Sequence, residues 1–232
     1  MKWRSLDESS SAVDIRPLRE ILLERQTQLT KYVLPETQSV HVRVVQQLQE
    51  QRIVDRALKV GAHAPQFQLP DHRGETISST ELLSHGPLVV SFFRGRWCPF
   101  CVAQLEAISF ILPAIKSAGA SLVAISPQSV KQSFFMADQH KLGFPLLSDS
   151  GNKIATGFGL TYSVPEEQRA IYKRAFVNLP FVNEDASWTL PIPATYVIGR
   201  DRRVLFAEAH ADFRVRPEPE EALEAAFAHH GM

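Results

Sequence analysis

The feature that most constrains this chain is the passage PLVVSFFRGRWCPFCVAQLEAI, residues 87–108. It opens with PLVVSFF, an almost unbroken apolar run preceded by Gly86. A run this short, bounded by glycine and charge, reads as a strand buried on both faces, and it cannot span a bilayer. A tight Arg-Gly-Arg-Trp turn follows, and then apolar residues return at helical spacing. The spacing places Cys98 at the N-cap of that helix, Pro99 at N1 and Cys101 at N3. Proline at N1 loses nothing, because that amide lacks an intrahelical partner anyway.

Further units succeed this one. SLVAIS at 121–126 reads as a second buried strand, with a helix over 129–141, a strand FPLLSD at 144–149 and a helix over 151–158. The helix that begins at Cys98 is expected to run to about Ser117. A short strand pair around Phe67 and Thr76 and a one-turn helix at 79–83 precede the central strand. Residues 161–190 read as irregular, with Tyr172, Phe176 and Phe181 as core contacts. ATYVIG at 194–199 and RVLFAEA at 203–209 read as a hairpin, and a last helix starts after Pro217 with Glu218, Glu220 and Glu221 in its first turns, ending at His229-His230. Alternating strands and helices make the class α/β.

The first part of the chain differs. Residues 1–13 are polar and serine-rich. A helix is expected from Asp14, its N-cap, with Leu18, Leu22 and Leu29 on one face; Pro35 ends it, and a second helix covers about 37–58. This organisation gives an N-terminal helical extension over 1–58 and a domain over 59–232. Amphipathic helices bury their apolar face wherever one is offered, here on the chain's own core or on a partner subunit.

Composition excludes several classes. The 232 residues carry 25 Lys+Arg and 25 Asp+Glu, and a neutral chain lacks the electrostatic footprint of a nucleic-acid binder. Two cysteines make neither a secreted disulfide framework nor a four-cysteine zinc site, and eight scattered histidines supply no second ligand pair. The start, MKWRSLDESSSAVD, lacks the apolar run of a signal peptide, so a cytoplasmic location and no membrane partner are expected. No metal or bound cofactor is expected either. Asp149 reads as a helix cap rather than an acid catalyst.

The chemistry therefore rests on Cys98 and Cys101. Residues three apart on a helix share a face, so the sulfurs can meet. A thiol at a helix N-terminus faces unpaired N–H groups, which stabilise its thiolate, and Arg94 and Arg96 add positive charge. One sulfur attacks and the other captures the product as a disulfide. Exposure and free amides favour Cys98 as nucleophile and Cys101 as resolving thiol.

Several passages in order, VGAHAPQFQLPDHRGETI, LVVSFFRGRWCPFCVAQLEAI, LVAISPQS and GFPLLSDSGNKIATGFGL, resemble the alkyl hydroperoxide reductase/thiol-specific antioxidant (AhpC/TSA) family, the peroxiredoxins. TLPIPATYVIGRDRRVLFAEAHADFRVRPEP resembles the peroxiredoxin-like branch with Trp-Cys-Pro-x-Cys. The resemblance implies a thioredoxin-like fold, a central mixed sheet flanked by helices, and thiol-based reduction of a hydroperoxide or disulfide. It also implies an external thiol reductant, a thioredoxin-like protein or a small thiol, and allows a homodimer. The chain departs from the family at three positions: the family's loop proline falls at Arg94, its threonine at Cys98 and its late arginine at Pro193. Aligned this way, the peroxidatic cysteine falls at Cys101. Trp97-Cys98-Pro99-Phe100-Cys101 with Ile192-Pro193 instead resembles thioredoxin, with Pro193 as its cis-proline and Trp97 covering the site. General disulfide reduction at the same pair, or a non-catalytic redox sensor whose N-terminal helices bind a partner, are the alternative activities.

Overall fold

The computed structural model describes residues 16–228. Helices α1 (Leu18–Tyr32), α2 (Pro35–Glu50) and α3 (Ile53–Arg56) come first, then the hairpin of β1 (Gln68–Pro70) and β2 (Thr76–Ser78), and α4 (Ser79–His85). The apolar run is β3 (Leu88–Phe92), followed by α5 (Pro99–Phe110), α6 (Leu112–Ser117), β4 (Ser121–Ser126), α7 (Val130–Gln139) and β5 (Leu146–Ser148). A 3-10 turn leads to α8 (Lys153–Gly157), then β6 (Thr161–Ser163), α9 (Glu166–Arg174), α10 (Leu179–Asn183) and β7 (Thr189–Pro191). The chain closes with β8 (Ala194–Ile198), β9 (Val204–Ala209) and α11 (Pro219–Ala228).

Five strands form one mixed sheet in the order β5-β4-β3-β8-β9. β3 lies at its centre, parallel to β4, with Val90 opposite Val123, and antiparallel to β8, with Val90 opposite Tyr196. Successive strand side chains point to opposite faces, so a central strand covered on both sides is buried throughout, as β3 is, with Ser91 its one polar residue. Leu88, Val90 and Phe92 enter one core with Ile53, Phe158 and Tyr196. Val89 and the following Phe93 enter the other with Leu18, Leu22, Phe100, Cys101 and Leu105. The class and the mixed sheet are those expected from the sequence.

Some local expectations are corrected. The second N-terminal helix does not run to residue 58: Arg52 turns left-handed at φ 51°, which breaks the helix after α2 and swings Ile53 into the core. The helix after Cys98 is interrupted at Ile111, because Pro113 has no N–H with which to continue the ladder. Residues 161–190 are mostly ordered into α9, α10 and the β6–β7 pair. The sequence EEQRAIYKR of α9 concealed it, since only Ile171 and Tyr172 among its apolar residues are buried. Tyr172 is a core contact, but Phe176 is 97% exposed and Phe181 66% exposed. Phe176 sits just past the end of α9 at φ 59°, and the short α10 buries Leu179 instead of Phe181. Asp149 does cap a helix, accepting from the Ile154 and Ala155 N–H groups at 3.0 and 2.9 Å.

Both N-terminal helices dock on the chain's own domain. α1 lies against α5, and α2 against α9. Asp14 lies outside the described residues, as do His229 and His230; the N-cap of α1 is Pro17, which offers no side-chain bond. Glu218, two hundred residues away, replaces it. Its carboxylate accepts from the Leu18 N–H at 2.8 Å and the Arg19 N–H at 2.9 Å. A carboxylate on two orphan amides at the positive end of a helix satisfies donors and dipole together. Among the described residues no helix is long and apolar enough to cross a membrane.

Replacing Glu218 by alanine is expected to cost about 1 kcal/mol, the usual worth of an N-terminal cap. Thermal unfolding measures the loss, and hydrogen exchange should rise in the first turn of α1 while α2 keeps its protection.

Candidate active site

The site grows from the end of β3. The Phe93 N–H still reaches the Ile125 carbonyl at 3.0 Å, and then the chain reverses, with the Cys98 N–H on the Gly95 carbonyl at 3.1 Å. Gly95 has φ 143°, and a Cβ there would meet the Trp97 ring nitrogen at 2.6 Å. The turn therefore needs glycine because tryptophan lies down on it. Cys98 is the N-cap, Pro99 opens the helix, and the Cys101 and Val102 N–H groups both bond the Cys98 carbonyl, at 3.0 and 3.1 Å. The two thiols are free and buried, Cys98 2% exposed and Cys101 not at all.

The donors converge on one sulfur. Cys101 Sγ accepts from the Arg94 backbone N–H at 3.4 Å and from Arg216 Nη2 at 3.6 Å. Burial alone pushes the Cys101 thiol up; the Cys98 hydrogen bond, Arg216, Arg94 and the Arg94 N–H outweigh burial and bring it down to about 5. Burial, then the hydrogen bond to Cys101 and its charge, push Cys98 well above the usual thiol range. The sequence placed the thiolate on Cys98; in the structure its N-cap sulfur makes no capping bond and is only 2% exposed, while the donors gather on Cys101.

Two buried arginines frame the pair. Arg94, 2% exposed, has its guanidinium carbon 4.8 Å from the Trp97 ring centre and 4.3 Å from that of Phe213, a cation held between two π faces. Its Nη2 donates to the Tyr172 hydroxyl, its Nη1 lies 4.0 Å from Cys98 Sγ, and its Nε has no partner. Arg216 donates from Nε to Gln104 Oε1 at 2.8 Å and from Nη1 to the Phe213 and Val215 carbonyls. Gln104 is held in turn by Thr195 Oγ1 at 3.2 Å. Among the described residues neither guanidinium meets a carboxylate. Arg96 takes a different part: its N–H bonds Gln128 and its Nε bonds Gln132 at 2.7 Å, so it anchors the turn to α7 and does not touch the sulfurs.

Pro193 is near but is not a thioredoxin cis-proline. No described peptide bond is cis. The trans form is the favoured one, and it carries the chain straight from β7 into β8, where the Pro193 carbonyl accepts the His210 N–H at 3.2 Å. Pro193 forms part of a small cavity wall with Arg94 and Phe213. Helix α2 roofs the same place. His41 packs edge-on to Phe213 at 5.7 Å and meets Gln168 Nε2 through its Nδ1 at 3.2 Å. Burial first, then Arg94 and Arg214, lowers the pKa of His41 to about 4. Among the described residues no three His, Cys, Asp or Glu side chains cluster to hold a metal.

The model of the AhpC/TSA family matches residues 60–207. The chain belongs to the AhpC/TSA family. It is 35% identical over 100 residues to a chloroplastic peroxiredoxin Q of Gentiana triflora, covering 43% of this chain and 46% of that one. It is 31% identical over 103 residues to the peroxiredoxin Bcp of Escherichia coli strain K12, covering 44% of this chain and 65% of the relative. The match thus spans about half the length of the curated relatives. Among solved structures, the peroxidoxin BcpB of Mycobacterium tuberculosis superposes with a TM-score of 0.58 at 24% identity, over 74% of this chain and 97% of that one. The PrxQ of Xylella fastidiosa gives 0.59 at 18%, with the same coverage. These likenesses establish the thioredoxin-like fold.

Within this AhpC/TSA chain, Arg216 lies beyond the matched segment and α2 lies before it. Arg216, from the loop before α11, brings a guanidinium to the Cys101 sulfur. Nothing local marks Arg216 in the sequence. Arg214 pairs with Asp212 two residues back at 2.7 Å, and only the fold shows that Arg216 turns inward instead.

The thiolate assignment has a spectroscopic consequence. In Cys98→Ser, whose hydroxyl keeps the donor, thiolate absorbance at 240 nm should persist at pH 7; in Cys101→Ser it should vanish. A depressed thiol pKa also stabilises the fold above the unfolded-state value of about 8.5. That share is lost as pH falls toward about 5. Urea unfolding of the reduced protein at pH 5 and pH 8 measures it, and Cys101→Ser should flatten the difference.

Proposed function

We propose that this chain is a thiol-dependent peroxidase with Cys101 as the attacking sulfur. The observation that carries this reading is the buried Cys101 sulfur, which accepts from the Arg94 N–H and Arg216 Nη2, beside two buried guanidiniums that meet no carboxylate among the described residues. A thiolate is the reactive form of cysteine, and fixed donors around it also stabilise the negative charge that builds on the departing oxygen.

The chemistry balances as follows. Cys101 thiolate attacks the terminal oxygen of ROOH, the O–O bond breaks, and Cys101 becomes a sulfenic acid while RO⁻ leaves and takes a proton as ROH. Cys98, one turn away, condenses with the sulfenic acid, forming the disulfide and releasing the second oxygen as water, with one proton drawn from solvent overall. Two external thiols return the pair to the dithiol and leave as their own disulfide. Cys98 precedes the half-exposed Pro99 and follows the half-exposed Arg96–Trp97 turn, so it is the sulfur such a thiol meets first. The peroxide reading is preferred over general disulfide reduction because both sulfurs are buried, which favours a small substrate over a protein disulfide.

Rapid mixing with hydrogen peroxide tests the assignment. Cys98→Ser is expected to complete one turnover and accumulate a sulfenic acid that dimedone traps, while Cys101→Ser does not react. Fast reaction of Cys101→Ser would sink it. Arg216→Met should slow the oxidation of Cys101 by about a hundredfold, the usual cost of one positioned donor to developing charge.

A further inference from the structure

Two spaces lie beside the arginine, and they share a wall. The inner one is a small cavity of about 10 Å³ between α2, the β6–β7 pair and Arg94. That is room for the centre of about one water-sized molecule. The outer one is an open groove of about 490 Å³ between α2 and β6–β7, with Gln47, Gln51, Thr161 and Ser163 along it. Val44, Leu48 and Tyr162 line both spaces, and each is buried.

The inner cavity is chemically marked. Arg94 is 2% exposed and its Nε–H has no partner; Gln168 is 1% exposed and its Oε1 has none. An unpaired buried donor or acceptor is costly, and the residues that carry this donor and this acceptor both line the same small space. A hydroxylic molecule of two heavy atoms, able to donate and accept at once, answers both. Arg94 also links the cavity to the sulfurs, through Nη1 to Cys98 at 4.0 Å and through its backbone N–H to Cys101 at 3.4 Å.

We propose that peroxide enters from the groove between α2 and the β6–β7 pair, through a gate of Val44, Leu48 and Tyr162 that passes hydrogen peroxide and turns away branched and aromatic hydroperoxides. The inference rests on the peroxidase reading and names the substrate class of that site. The gate belongs to α2, outside the segment that the family model matches. Its selectivity is a matter of size: the cavity at the gate's inner side has no space for a phenyl or tert-butyl group.

The experiment compares second-order rates of Cys101 oxidation by hydrogen peroxide and by cumene hydroperoxide in the full chain. Wild type is expected to prefer hydrogen peroxide by at least about tenfold, the scale on which a closed apolar pocket rejects excess bulk. Val44→Ala, which widens the gate, should narrow that preference by about fivefold. Gln47→Trp, at an exposed position on the groove, disturbs no core packing and should slow hydrogen peroxide about threefold by filling the mouth. A preference within twofold of wild type in folded Val44→Ala, or a hydrogen peroxide rate untouched by Gln47→Trp, overturns the route. So does a wild type that reacts equally with both peroxides. If neither peroxide oxidises Cys101 in wild type, the peroxidase reading itself fails, which the other outcomes leave standing.

Discussion

Among the described residues two guanidiniums are buried, and neither forms an ion pair with a carboxylate. Removing a charge from water costs several kcal/mol unless a counter-charge and hydrogen bonds replace the solvent. For Arg216 the replacement is a side-chain amide, two carbonyls and the Cys101 sulfur. For Arg94 it is a phenol hydroxyl and two aromatic faces. An anion beside them would answer the same need, and the Cys101 sulfur, 3.6 Å from Arg216 Nη2 and 3.4 Å from the Arg94 N–H, is the group placed to supply it.

The pieces that meet there come from distant parts of the chain. β3 and its turn deliver Arg94 and both cysteines, α9 delivers Tyr172, and the loop ahead of α11 delivers Phe213 and Arg216. The first two helices finish the enclosure. α1 packs with Cys98 and Phe100 in one core, and α2 places His41, Val44 and Leu48 over Arg94 from the other side. The common family body thus holds the sulfurs with Arg94 and Tyr172, and segments outside it complete the enclosure.

Much of this was legible in the sequence. The strand, the turn, the N-cap position of Cys98 and the N3 position of Cys101 follow from apolar runs, Gly95 and Pro99, which act locally. The thiolate did not follow, because helix position alone ranks the first sulfur above the second, and the deciding donors are long-range. Arg216 is 115 residues from Cys101, and its inward turn depends on Gln104 and Thr195. α9 was missed for a related reason: its helical face is two buried apolar residues in a charged stretch, too few to set a period. The proline expected to be cis is trans because β7 and β8 continue in extended backbone through it.

The position of the activating groups also orders events in the making of the protein. Translation delivers both cysteines long before residue 216, and the clamp that holds the start of α1 waits for residue 218. A nascent chain that has extruded its cysteines but not these late residues holds ordinary thiols, unionised at neutral pH and slow toward oxidants. The donor set of the Cys101 sulfur is complete only once the last loop has closed over the site.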